Sequence, residues 1–475
     1  MLMRSPGVDG DPRLLSWLRV REFAVPPSMI ETATTRRAAG DWSGACAAAH
    51  LDADVDVRAV AQSHGRDLAT RLRTDLRHLA PDLLRWHWPR AALPDGLLRP
   101  GVTVALATYP HAAGALHLVA RTPPAWADAG QRISLTLWPA THPSTTPHPH
   151  PHPDRRFRLD LHRHLWDARR APDLRHRTGA EAALPTGAGA DSAGADSAGA
   201  DSTPAVGRPP AGSAVAKRFG AVRLPDGGAV HRWVAEAAIL READGRPHDP
   251  VVVRVGARFR LALDPGADGP RLLGRAARGY PVLPHAATWL LPDLELLRAG
   301  LITLDQLHPL VAAALAPAWP PARNPAPPPA PVPPPAPAAP RLVECRGEWH
   351  RIAVVAGVLT ALDHDPAEVW REELFAALGG LPLACLRAID LANREPASLD
   401  DIRARLDHGD TVGALAVVEE LLGAAAALRG GALRDELETA AARRVTYGLY
   451  RAGLAGRGPL KDKPPRRRAG RSRTR

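Results

Sequence analysis

The sequence predicts a multidomain α+β protein. It reads as an N-terminal helical region, an antiparallel β-rich middle and a C-terminal β-hairpin followed by helical hairpins, with disordered linkers between them. Three observations predict this. Apolar residues recur at helical spacing near both ends of the chain. Short runs in the middle alternate apolar and polar residues, as half-buried strands do. Two stretches of strongly biased composition separate the patterned regions. With 475 residues, 45% of them hydrophobic, there is material for several packed cores.

Residues 12–90 read as helices. "SMIE" (Ser28 to Glu31) has the form of a capping box, with a helix running to about Ala39. Gly40 ends that helix and Asp41 caps the next. Residues 57–79 carry Val57, Val60, Ala61, Leu68, Leu72, Leu76 and Leu79 as an apolar stripe, with Arg66, Arg73 and Arg77 off it. Residues 101–165 change to strand period. "VTVALAT", "ALHLVAR", "RISLTLW" and "FRLDLH" predict four strands of an antiparallel sheet with one buried face.

Residues 178–215 predict a flexible linker, because the small residues of "GADSAGADSAGADS" cannot bury a core. Residues 216–315 return to strands and then helices, and this β region either stands alone or shares a sheet with 101–165. "VVVRVGARFRLALD" predicts a single strand with Arg254, Arg258 and Arg260 on its polar face. "LPDGGAV" and "EADGRP" predict hairpin turns, and "LITLDQLHPLVAAAL" a helix. Residues 317–340 hold 13 prolines in 24 positions, which predicts a stiff polyproline spacer. Residues 341–456 predict a hairpin in "EWHRIAVVAGVLTALDHD", then helices. The first is capped by Asp365 and stopped at Gly379, another opens at Ser398, and two more follow over 411–428 and 432–452.

The formal charge is +11, but eight basic residues and one acidic residue fall in the tail at 461–475. The body is close to neutral and the basicity belongs to the tail, which reads either as a solubilising end or as an arm that contacts nucleic acid non-specifically and salt-dependently, to which the Arg254, Arg258 and Arg260 face could add. The N-terminus lacks an apolar core of signal-peptide length. No stretch approaches the roughly 18 apolar residues of a membrane helix. Cys46, Cys345 and Cys385 are odd in number and far apart, which argues against a disulfide framework and against a thiolate zinc site. These features predict a cytoplasmic protein.

Candidate chemistry centres on histidine. Six histidines lie between His142 and His164, in a His-Pro run that leads into "FRLDLHRH". If Phe157, Leu159 and Leu161 face a core, Arg158, Asp160, His162 and His164 face away. Alternate residues on a strand face sit about 6.5–7 Å apart, so Asp160, His162 and His164 form a candidate metal site, with zinc the expected ion and His117 a further candidate ligand. A solvated strand face explains the same residues. Cys345 and His350 in "CRGEWH" have the types of a nucleophile and base, but on one strand a separation of five puts them on opposite faces. Asp363, His364 and Asp365 fit a loop and helix cap. Neither a GxxxxGK[ST] nor a GxGxxG phosphate loop occurs, nor a GxSxG elbow. Trp is the abundant aromatic, with 12 against five Phe and four Tyr, and "RWHWPR" is expected to fill a core.

"GDWSGACA" (Gly40 to Ala47) and "GDTVGALA" (Gly409 to Ala416) share G-D-x-x-G-A-x-A between two predicted helices. Each locally resembles the helix–turn–helix of tetratricopeptide-like repeats. That resemblance implies helical hairpins able to hold a partner. With two long linkers, two such hairpins and no convincing catalytic constellation, the chain is expected to be a protein–protein interaction or adaptor protein. A nucleic-acid-associated protein and a metal-dependent enzyme using Asp160, His162 and His164 are the alternatives.

Overall fold

The computed structural model describes residues 11–91, 95–112, 114–140, 148–179, 227–255, 259–266, 271–272, 279–317 and 340–455. Nearly all of the two linkers, and the whole of the 461–475 tail, lie outside these residues.

The chain is a mixed α+β protein with three small sheets. Its N-terminal part begins with α1 (Pro12–Arg19), α2 (Pro27–Ala38) and α3 (Trp42–Ala48). Ser28 does not cap α2. Pro27, whose fixed φ suits a first helical turn, starts the helix two residues earlier. The expected 57–79 stripe is two helices, α4 (Val57–His64) and α5 (Arg66–His78), because Gly65 turns to φ +89° between them. A short helix, α6 (Pro81–Trp86), follows.

Three of the four expected strands of the first sheet form: β2 (Thr103–Tyr109), β3 (Leu116–Arg121) and β4 (Ile133–Pro139). The fourth place is taken by β1 (Leu51–Asp54), which lies parallel to β4 and gives the order β1-β4-β3-β2. β2 and β3 are buried along almost their whole length, so this sheet has helical or loop cover where one solvated face was expected.

"FRLDLH" is not a strand. It touches β2 through one parallel bridge, Ala105 to Arg158, with Asp154 N–H donating to Thr103 O and Asp160 N–H to Ala105 O. It then turns into a short 3-10 segment at Arg163–Leu165. Phe157 and Leu159 are anchored in the core as expected, and the Trp166 indole N–H donates to Leu159 O at 2.9 Å. That indole and the two main-chain bonds give the segment backbone partners without a ladder.

After α7 (Asp173–Thr178), α8 (Trp233–Ala243) leads into a second sheet, β5 (Val251–Val255), β6 (Phe259–Leu263) and β7 (Arg271–Leu272). "VVVRVGARFRLALD" is therefore a hairpin. Val255 pairs with Phe259 in antiparallel register, so the run supplies two strands and not one. Arg254 pairs with Arg260, and Arg258 lies outside the described residues. "EADGRP" joins α8 to β5 and so is not a hairpin turn. Gly228, in "LPDGGAV", instead bridges Trp289. The second sheet stays separate from the first. The helices α9 (His285–Thr288), α10 (Pro292–Arg298) and α11 (Pro309–Leu315) follow, and α10 and α11 join the N-terminal core. Trp86 and Trp88 lie in that core.

The C-terminal part is a meander, β8 (Arg341–Cys345), β9 (Glu348–Val355) and β10 (Val358–Ala361), followed by α12 (Pro366–Ala377), α13 (Ala384–Arg394), α14 (Leu399–His408), α15 (Thr411–Leu422) and α16 (Ala432–Arg451). Both strand turns are two residues long with both φ angles positive: Arg346 +57° and Gly347 +85°, then Ala356 +49° and Gly357 +79°. That turn matches the twist of the flanking strands. One sheet face buries Cys345, Ile352, Leu359 and Ala361 against α13, α14 and α15. No helix among the described residues is long and apolar enough to cross a membrane.

Candidate functional site: a cysteine–histidine cluster beside an exposed apolar face

The β8–β9 turn decides which residues meet. Because Arg346 and Gly347 reverse the chain, Cys345 and His350 stand on two paired strands and not on one. Val343 pairs with His350 and Cys345 with Glu348, so His350 lies on the same sheet face as Cys345. The expectation of opposite faces is thereby overturned. His364 arrives from the loop after β10, just ahead of Asp365, whose carboxylate accepts from the Ala367 N–H at 2.9 Å and starts α12. Cys385 sits in the first turn of α13.

The sulfurs of Cys345 and Cys385 and a ring nitrogen of His364 all lie within 4.8 Å of one another. Among the described residues this is the group of His, Cys, Asp and Glu with metal-ligand spacing. Both thiols are free and buried. Burial, and then the neighbouring Cys345, push the Cys385 thiol up to about 11. The His350 and His364 rings stack, with centroids 4.3 Å apart and planes at 28°. Each ring has one nitrogen near a carboxylate. His364 Nδ1 is 3.5 Å from Glu368 Oε2, and His350 Nε2 is 3.9 Å from Glu348 Oε2. The other nitrogens, His364 Nε2 and His350 Nδ1, are buried without a hydrogen-bond partner among the described residues. The fold thus brings together two cysteines that stand 40 positions apart in the chain.

The sequence-predicted trio does not converge in the same way. Asp160 is held by its neighbour, with Arg158 Nη2 donating to it at 2.7 Å and Nε at 3.2 Å. His162 and His164 point inward and are buried. His162 Nε2 lies 3.2 Å from Glu236 Oε2, an ion-pair distance without hydrogen-bond alignment. The same carboxylate accepts from Arg177 at 2.7 Å and Arg232 at 2.6 Å. Burial alone raises the Glu236 pKa, but the His162 and Arg177 contacts outweigh it and hold the group well below the carboxylate range. Burial keeps the His164 ring neutral. The inward turn follows from the loss of strand geometry: without alternation, positions 162 and 164 are free to face the core. His117 sits on β3 with Nδ1 3.0 Å from the Thr108 hydroxyl. In the His-Pro run, His148 is buried, donating from Nε2 to Thr122 O at 2.8 Å and accepting on Nδ1 from the His150 N–H at 3.1 Å. His142 lies outside the described residues.

Compared with family models, characterised proteins and solved structures, the chain matches none.

A second feature adjoins the cluster. α12 has no buried residue, yet it carries Trp370 at 64% exposure, Leu374 at 50% and Phe375 at 53%, and Leu378 and Leu381 follow it still more exposed. Residues 370, 374 and 378 share one helix face. The outer face of the meander adds Leu342, Trp349, Val355 and Val358. Arg346, at the β8–β9 turn, pairs with Glu368 and Glu372 on α12 and ties the helix to the sheet. The first Gly-Asp hairpin exposes no large apolar side chain, and the second exposes Val412 and Leu415 without an aromatic anchor. The α14–α15 turn is packed inward, with Gly409 against Gly130 and His408 stacked on Phe23 at 6.0 Å.

Proposed function

We propose that the chain is a protein-interaction protein, and that α12 with its following turn docks an apolar helix of a partner protein. The observation that carries this reading is the exposure of Trp370, Leu374, Phe375, Leu378 and Leu381 on one short segment. Burying each such side chain is worth roughly 1.5–3 kcal/mol, which this segment forgoes. Trp and Phe are the anchors that interfaces favour. A leucine-rich stripe recognises another apolar stripe, as helix-in-groove docking does. Arg346 engages Glu368 and Glu372, and the exposed stripe itself carries no cluster of cations. A protein surface therefore suits it better than a phosphate backbone.

The test uses the full chain as bait in its native cell, with nuclease present and a moderate-salt wash. A partner captured by the parent chain is then purified and titrated against the parent and a Trp370→Ser/Phe375→Ser variant. The reading expects binding to weaken at least tenfold in the variant. Capture that is indifferent to the variant sinks it. Capture abolished by nuclease, or by cutting residues 461–475, supports the nucleic-acid reading in its place.

A further inference from the structure

We propose that Cys345, Cys385, His364 and His350 bind one zinc ion in a closed, four-ligand structural site.

Three independent features of the cluster point to a metal. First, its donors come from four places in the fold: the end of β8, the start of β9, the loop ahead of α12 and the first turn of α13. Three of the donor atoms already lie within 4.8 Å of one another. Tetrahedral zinc, with about 2.3 Å to sulfur and about 2.0 Å to nitrogen, needs these three ligands only about 1 Å closer together than this, and His350 completes the set by turning its ring from the stack on His364. Second, a buried ring nitrogen without a partner costs on the order of 1–3 kcal/mol. Two such nitrogens occur here, one on each stacked histidine, and metal ligation relieves both. Third, Glu368 lies at the opposite nitrogen of His364. A carboxylate there fixes the tautomer and leaves Nε2 free to ligate, the arrangement that metal-bound histidines usually have.

The donor chemistry selects the ion. Two thiolates and two imidazoles suit zinc, whereas calcium and magnesium take oxygen donors. Binding converts two thiols to thiolates and releases one proton from each to solvent. With four protein ligands the ion has no open position, so its role is to fix the meander and the start of α12 to α13. This inference stands apart from the docking proposal: either can fail alone.

The test starts from the untagged full-length chain, purified under reducing conditions. Elemental analysis is expected to find one zinc per chain. Cobalt exchanged into the stripped chain is expected to give tetrahedral d–d bands and a sulfur-to-cobalt charge-transfer band. Cys345→Ser, Cys385→Ser and His364→Ala are expected to lower retained zinc at least tenfold. His150→Ala/His152→Ala, in the His-Pro run, is expected to change nothing. Should the cysteine variants fail to fold, Glu368→Gln and His350→Ala serve in their place. Competition with a chromophoric chelator is expected to show zinc held roughly 10–100-fold more weakly in Glu368→Gln. His350→Ala is expected to weaken it at least as much. The proposal is overturned by absence of stoichiometric metal, by a different metal, by zinc without a thiolate band, or by a Cys345–Cys385 disulfide in its place. Unchanged affinity in Glu368→Gln and His350→Ala overturns it equally.

Discussion

Arg85 donates from Nη2 to the main-chain oxygen of His408 at 3.1 Å, across 323 residues of chain. The same guanidinium donates from Nε to Ala24 O at 2.8 Å and from Nη1 to Gln131 O. It is fully buried, and its hydrogen bonds go to carbonyl oxygens of three separate segments. One planar cation therefore joins the N-terminal helices, the loop before β4 and the end of α14. Around it, Tyr447 donates to Asp52 and Arg451 pairs with Asp54 at 2.5 Å. These contacts hold α16 onto β1.

Replacing Arg85 with leucine strands three buried carbonyls. Each orphaned acceptor costs on the order of 1–3 kcal/mol, so a total loss of about 3–9 kcal/mol is expected. Arg85→Lys is expected to fare little better, because one ammonium cannot reach three divergent oxygens. Denaturant midpoints of the two variants measure this. A loss below about 1 kcal/mol would show that the bonds are replaceable by water.

Acid is expected to unfold the protein cooperatively. His87, His148, His164 and His408 have buried side chains. Burial is the chief cause that lowers each of them, His148 to about 4 and His87 and His408 to about 3, from an ordinary value of 6.5. Their folded pKa values lie below the unfolded ones, so the unfolded chain takes up protons first. The stability they contribute is intact above pH 6.5 and is lost as pH falls toward 4 and below. Each ring removes up to about 1.4 kcal/mol per pH unit in that window. Thermal melts from pH 7.5 to 4.5 should therefore show a steadily falling midpoint. A midpoint flat to pH 5 would contradict the burial of these rings.

The two Gly-Asp hairpins share one geometry. Asp41 accepts from the Gly44 N–H and Asp410 from the Gly413 N–H, both at 2.8 Å. Arg36 and Arg405, each five residues before its aspartate, donate to it at 2.9 and 3.0 Å. Gly40 and Gly409 take positive φ, where only glycine is unstrained. A Cβ at Gly44 or Gly413 would collide with the capping carboxylate. Asp410→Ala is expected to cost about 1 kcal/mol, the usual worth of such a cap. Gly413→Ala is expected to cost at least as much, because the new methyl expels the cap it sits beneath. Combining the two should cost little more than either alone. A double-mutant cycle with additive losses would count against this coupling.

These hairpins were legible in the sequence because their chemistry is local. Gly supplies the positive φ, Asp the cap, and both lie within six residues of the turn. The Asp365 cap, the Ala356–Gly357 turn and helix α16 were readable for the same reason. The cysteine–histidine cluster was not, since its members are brought together by pairings between β8, β9 and α13. One signal was present and misread: the Arg-Gly pair in "CRGEWH" is a two-residue turn flanked by alternating runs, and taking it as such puts Cys345 and His350 on one face. The failure at Asp160, His162 and His164 is of the opposite kind. Local alternation there is real, but the segment meets β2 at one bridge only, and the tertiary fit around Trp166 and Glu236 overrides the pattern.

The exposed segment at α12 separates folding from function in a measurable way. Trp370 and Phe375 lie on a helix with no buried residue, so their removal takes nothing from the core. Trp370→Ser and Phe375→Ser are expected to change stability by no more than about 0.5 kcal/mol. By contrast Leu406→Ala, in the core beneath, is expected to cost about 2–5 kcal/mol. If the face exists to dock a partner, the first pair should lose binding at unchanged stability and the second should lose stability before binding. Should Trp370→Ser prove as costly as Leu406→Ala in chemical denaturation, the helix packs on its own chain in solution. Its exposure would then no longer argue for a partner.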